Sequence, residues 1–104
     1  MIVRGAEGLW RVEGVVKVDS AAALFGEAEA MWQDPELRVD LSGISEADSA
    51  VIALLLAWRR RALAEGREIE FLNATESVRS LATLYDVAQL LFPSEAEAKL
   101  ALSS

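Results

Sequence analysis

The sequence predicts a single α/β domain in which a small mixed β-sheet carries about four helices. Short segments of strand-like alternation are separated by longer segments whose apolar residues recur at helical spacing. The order is strand, strand, helix, strand, helix, strand, helix, helix, and such alternation implies parallel crossovers. With 104 residues, 53% of them hydrophobic, the chain suits one compact core, and we expect residues 1–104 to form one domain.

The N-terminal part predicts a β-hairpin. Residues 2–4 and 9–12 alternate as strands, and Glu7 and Gly8 between them suit a hairpin turn. We expect Gly14 to end the second strand and the residues after it to be extended or loop-like.

A first helix is predicted over residues 21–32, with Asp19 or Ser20 available as its N-cap. Pro35 should stop it, because the residue before a proline avoids helical angles. The apolar residues that share its predicted buried face are Ala21, Leu24, Phe25, Ala28, Met31 and Trp32.

The middle of the chain is a strand over residues 37–41, a polar turn over residues 42–48, and a strongly apolar helix that ends at Gly66. Ser45 and Asp48 have the spacing of a capping box at the start of this helix. On helix geometry its buried face comprises Val51, Leu54, Leu55, Trp58 and Ala62.

The last third predicts a strand over residues 68–72 and a helix from Asn73 or Thr75 through Tyr85. A short apolar stretch follows and ends at Pro93. A possible last helix covers residues 96–102, and the sequence does not decide whether it packs on the domain or reaches a partner.

Composition excludes several classes of function. The net charge of −7 opposes binding to nucleic acid or to an anionic membrane surface. The chain has no cysteine and no histidine, so it offers no disulfide, no zinc site of the usual kind and no histidine base. No phosphate-cradling glycine motif is present. We expect no cofactor, no metal, no catalytic activity, no signal peptide and no direct insertion into the membrane.

The segment over residues 37–91 resembles the STAS family, the domains of sulfate transporters and anti-sigma factor antagonists. The resemblance is carried by residues 39–43, by Asp48 and Ser49, and by the apolar residues 52–56. Residues 64–66 and 81–87 look most like one branch, the small MlaB-like (toluene-tolerance type) subunit of the Mla phospholipid ABC transporter. The resemblance implies a STAS-like fold and a non-catalytic protein.

The two branches of this family differ in the loop before the second helix. In the antagonist branch the loop before the second helix reads Asp-Ser-Ser-Gly, and its second serine is phosphorylated by a partner kinase. Here Ala50 and Val51 stand where that serine and glycine would be, whereas Ser49 matches the lone hydroxyl residue of the transporter branch. The sequence therefore favours the transporter branch.

Six residues are candidates for contact with a partner. Ser45, Glu46, Asp48 and Ser49 surround the predicted helix start, where acids and serines are also ordinary capping residues. Arg59 and Arg60 belong to a run of three arginines, at least one of which must point away from the core, because consecutive helical residues are about 100° apart. Trp58 is expected in the core.

The resemblance implies a cytoplasmic accessory subunit that binds the ATPase of a phospholipid-trafficking (lipid-asymmetry) ABC transporter at the inner membrane. The alternative is an anti-sigma factor antagonist regulated by phosphorylation of a serine, with Ser49 as the possible site. A third hypothesis, from another class, is a module that binds a nucleotide or other small ligand. In isolation, an uncovered apolar helix face could produce a homodimer.

Overall fold

The computed structural model describes residues 1–5, 8–29, 32–33 and 35–93. Four strands form one sheet: β1 (Ile2–Arg4), β2 (Leu9–Val16), β3 (Glu36–Ala47) and β4 (Glu68–Leu72). The helices within the described residues are α1 (Val18–Ala28), α2 (Ser49–Ala64), α3 (Glu76–Leu84) and the single turn α4 (Ala88–Leu91). The predicted order of elements and the mixed sheet are confirmed.

The sheet has the strand order β1-β2-β3-β4. β1 pairs antiparallel with β2, as the predicted hairpin requires, whereas β2, β3 and β4 are mutually parallel. Parallel neighbours need crossover connections, and α1 and α2 provide them. The crossovers place the starts of α1 and α2 at the same edge of the sheet, beyond the carboxyl ends of β2 and β3.

All four helices cover one face of the sheet. Side chains on that face alternate as buried positions along the strands, for example Trp10 and Val12 on β2 and Leu37 and Val39 on β3. α2 contacts both α1 and α3, so the helices form one layer. Every residue of the predicted buried face of α2 is buried, and Trp58 is completely so.

Three tryptophans form the centre of this core. The ring of Trp10 meets those of Trp32 and Trp58 edge to face, at centroid distances of 5.3 and 5.8 Å, which is a favourable geometry for aromatic rings. The guanidinium of Arg61 lies 4.6 Å from the centre of the Trp32 ring and donates to Glu29 of α1 at 2.7 Å. Arg61 therefore closes the rim of the core between α1 and α2.

Both long strands extend further than the sequence predicts. Gly14 does not end β2 but lies at an irregularity in its pairing with β3, where it has φ +95°. The predicted polar turn over residues 42–48 is wrong, because β3 continues through Ala47 against the second half of β2. The hydrogen bonds between the parallel strands β2 and β3 thus outweigh the local preference of Ser42 and Gly43 for a turn.

The first helix begins earlier than predicted and ends earlier. Val18 is its first residue, and Ser20, proposed as a cap, instead accepts a hydrogen bond from the Lys17 N–H at 3.0 Å. α1 ends at Ala28, and Phe25, assigned to the buried face, is 38% exposed. α3 begins as predicted, with Thr75 accepting from the Val78 N–H. The predicted helix over residues 96–102 lies outside the described residues.

Candidate interaction surface at the start of α2

One carboxylate connects the starts of α1 and α2. Asp48 is the N-cap of α2, and its Oδ1 accepts a hydrogen bond from the Ala50 N–H at 2.8 Å. Its Oδ2 accepts from the Val18 N–H, in the first turn of α1, at 3.3 Å. Both N–H groups lie in the first turn of a helix, where backbone amides have no acceptor within the helix. Asp48 is therefore a half-buried structural residue of this edge.

Ser49, the first residue of α2, is exposed. Within the described part of the chain its hydroxyl has no hydrogen-bond partner, because Asp48 already performs the capping. The next two residues turn inward: Ala50 is half-buried and Val51 is completely buried. The only side-chain hydroxyl available in the first turn of α2 is that of Ser49.

The predicted capping role of Ser45 is wrong. Ser45 is an exposed residue within β3, three residues before the cap Asp48, and therefore does not cap α2. Its neighbour Glu46 is also exposed and forms an ion pair with Lys17, 3.2 Å between Oε2 and Nζ. Such an exposed pair contributes at most about 1 kcal/mol, so both side chains remain available at the surface.

The structure separates the two candidate arginines. Ser49, Ala53, Leu56 and Arg60 recur at helical spacing along the side of α2 that faces away from the sheet, and we call this stripe the α2 face. Leu56 is half-buried and the other three are exposed. Arg59 points instead to α4, where its Nε donates to the Leu90 carbonyl at 3.1 Å.

Sequence reasoning missed two apolar residues beside Ser49. Val18 is 74% exposed and Val15 is 43% exposed, and Val18 is held next to the α2 start by Asp48. The residues after Gly14 were predicted only as extended or loop-like, so only the position of the α1 start, at Val18, could have indicated this exposure. The surface at this edge is therefore apolar at its centre, with Ser49, Glu46 and Lys17 around it.

Among the described residues, no three acidic side chains come together as a metal site. No helix in the same part of the chain has the length and hydropathy needed to cross a membrane.

Comparison with known proteins identifies the family of this chain. The family model described as "Mlab, STAS domain" matches residues 4–93. The fold superposes on the anti-sigma factor antagonist SpoIIAA in its unphosphorylated form with a TM-score of 0.69 and 16% identity, covering 97% of this chain and 95% of that one.

A second solved structure, of the protein Mglu, has a TM-score of 0.60 and 17% identity over 73% of this chain, which spans 20% of Mglu. No curated protein sequence matches significantly. Identities this low show likeness of fold alone, whereas the family model matches most of the chain and includes β2, β3, the α2 start and β4. The chain therefore belongs to the STAS family, in the group described as Mlab, STAS domain.

Proposed function

We propose that this protein is a non-catalytic accessory subunit that docks on the ATPase of a phospholipid-trafficking ABC transporter, at the cytoplasmic side of the inner membrane. The observation that carries the proposal is the α2 face, a solvent-exposed stripe that starts at Ser49 and is small or apolar except for Arg60. The match to the MlaB-type STAS domain supports the transporter as the partner.

The composition of the α2 face suits contact with another protein. Ala53 and Leu56 provide an apolar centre without charge, and desolvated residues of this kind form the centres of protein interfaces. Arg60 would supply a local positive charge on a protein of net charge −7, which favours an acidic site on the partner and fixes orientation. Docking can shift the ATPase between its states only by differential affinity, typically about 1–3 kcal/mol.

The first experiment is affinity purification of the tagged full chain from its host, with mass spectrometry of the proteins that accompany it. We expect an ABC ATPase together with its membrane permease. Ser49→Arg should lower the affinity for that ATPase at least about tenfold, a loss of roughly 1.4 kcal/mol, because a bulky charge would stand within the contact beside its apolar residues.

Ser77→Arg is the matched control. Ser77 is also an exposed serine in the first turn of a helix, α3, but lies outside the α2 face. It should leave the affinity unchanged, and circular dichroism should show both variants folded. Equal affinity of Ser49→Arg and the unmodified protein would contradict docking at this surface.

An antagonist-type switch is the second candidate function, favoured by the exposed Ser49 hydroxyl at a helix start and by the SpoIIAA-like fold. A phosphate on Ser49 would add about −1.5 to −2 charges next to the helix amides. Incubation with the host's anti-sigma factor kinase and ATP, read by intact mass, tests it. Stoichiometric phosphate that disappears in Ser49→Ala but not in Ser77→Ala would support this function over the transporter subunit.

A further inference from the structure

A groove of about 260 Å³ runs along the outer edge of β4. Five consecutive residues, 69–73, border one side of it, so residues from both faces of the strand contribute to this border. The opposite side is formed by the second half of α2 and by residues 90–93. This groove lies at the other end of α2 from Ser49.

β4 is an edge strand. It pairs with β3 on one side, and among the described residues no strand pairs with its other side. An edge strand presents alternate N–H and C=O groups outward, and such groups readily pair with an added strand. The unpaired edge of β4 therefore favours an extended backbone as the occupant of the groove.

Apolar side chains form the wall of the groove. Leu63 of α2 is 62% exposed and Leu90 of α4 is 47% exposed, both unusual for large aliphatic residues. Phe92 and Phe71, which are buried, form the floor. An extended chain bound here could bury alternate apolar side chains against this wall, since side chains of a strand point to opposite faces.

Two arginines stand at the groove of an otherwise acidic protein. Arg59 is held over it by the hydrogen bond of its Nε to the Leu90 carbonyl at 3.1 Å. Arg67 lies at the end of the groove, with its Nε 3.0 Å from a carboxylate oxygen of Glu65. Glu70 is the acid among the lining residues, so this lining carries a net charge of +1 while the chain carries −7.

We propose that the groove binds an extended segment of a partner protein by strand addition to β4, with alternate apolar side chains against Leu63 and Leu90 and a carboxylate at Arg59. Main-chain hydrogen bonds would provide affinity, and the wall and the arginine would provide specificity. A second copy of this chain is a poor occupant, because it would bring Glu68 and Glu70 of its own β4 to the same edge, and like charges across strands destabilise pairing.

The test uses the full chain and a short fluorescein-labelled peptide in which valine, glutamate and valine occupy every second position and threonine the positions between, so that the valines and the glutamate point to the same face. Fluorescence anisotropy should show saturable binding. A counterpart with lysine in place of glutamate should bind at least about tenfold more weakly, a difference of roughly 1.4 kcal/mol. N-methylation of every second peptide bond can be placed in two registers. The register that removes the N–H groups facing β4 should abolish binding.

Arg59→Glu should weaken binding of the acidic peptide at least about tenfold, whereas Arg60→Glu, the same charge change one residue away but outside the groove, should have less than about a threefold effect at physiological salt. If Arg59→Glu does not fold, Leu63→Glu, at a highly exposed position, is expected to show the same loss. Equal binding of the lysine peptide, full binding after both N-methylation patterns, or no saturable binding would overturn the proposal.

Two further results would overturn it in favour of another occupant. A homodimer in sedimentation experiments that Leu63→Glu dissociates would assign the groove to a second copy. Saturable binding of dodecanoate without binding of the peptide would assign it to an anionic amphiphile.

Discussion

At the start of α2, Asp48 and Ser49 have different roles, capping and surface exposure, which the sequence alone did not assign. Asp48 accepts hydrogen bonds from the Ala50 and Val18 amides, so the capping of α2 does not require a serine. The Ser49 hydroxyl is therefore exposed and available for contact. A side chain that neither caps a helix nor packs in the core can be exchanged with little effect on stability, which makes Ser49 a suitable probe of partner binding.

Asp48→Ala should destabilise the domain by about 1–2 kcal/mol, the typical cost of losing an N-cap, because two helix amides lose their acceptor together. Asp48→Asn is the matched control, since its amide oxygen can still accept from the Ala50 N–H and should retain most of the stability. Urea unfolding gives both free energies. A loss in Asp48→Asn as large as that in Asp48→Ala would mean that the charge or the hydrogen bond from the Val18 N–H, rather than the bond from the Ala50 N–H, stabilises this edge.

Among the secondary-structure elements, β3 departs most from its predicted form, and Gly43 allows the departure. A Cβ at residue 43 would lie 2.8 Å from the Val12 carbonyl oxygen and 2.9 Å from the Glu13 Cγ. Val12 lies within the first irregularity in the pairing of β2 with β3, and Glu13 follows it. The close approach of backbones at this bulge therefore requires glycine.

Gly43→Ala should destabilise the domain by about 1–3 kcal/mol, because the added methyl group meets a backbone carbonyl that cannot rotate away. Gly26→Ala is the matched control in α1, where an added Cβ would have no neighbour within 4 Å. It should be neutral or stabilise by up to about 1 kcal/mol, since alanine favours a helix. Thermal unfolding followed by circular dichroism measures both, and an unaffected Gly43→Ala would show that the bulge is adaptable.

The elements with strong local signals were predictable from the sequence. The apolar spacing of α2 identified its buried face except for Ile52, and Thr75 was correctly among the candidates for the start of α3. The extension of β3 through Ser42 and Gly43 was not predictable, because these residues favour a turn locally and become a strand only through pairing with β2. The exposure of Val18 and the groove beside β4 likewise depend on how separate elements pack.

At the scale of the whole fold, the helices of the described residues all lie on one face of the sheet and leave its other face uncovered. Parallel sheets are usually covered on both faces, but here the open face carries opposite charges across strands, with Arg11 facing Asp40 and Arg38 facing Glu70. Burial raises the pKa of Asp40, yet hydrogen bonds from Ser42 and Asn73 and the charge of Arg11 outweigh it and hold this pKa below its usual value. A solvated ionic face needs no second layer of helices. The two proposed binding surfaces, the α2 face and the groove beside β4, are both formed in part by α2.

Because α2 spans about 24 Å, substitutions at Ser49 and at Arg59 should act independently. Ser49 and Arg59 are separated by about 15 Å along the helix axis, more than the Debye length of about 8 Å at physiological salt. Ser49→Arg should therefore weaken binding of the ATPase while leaving peptide binding in the groove unchanged, and Arg59→Glu should do the reverse. Titrating the double variant with each ligand should give free-energy losses that add within about 0.5 kcal/mol. A larger coupling would mean that one partner contacts the whole length of α2, so that the α2 face and the groove form a single interface.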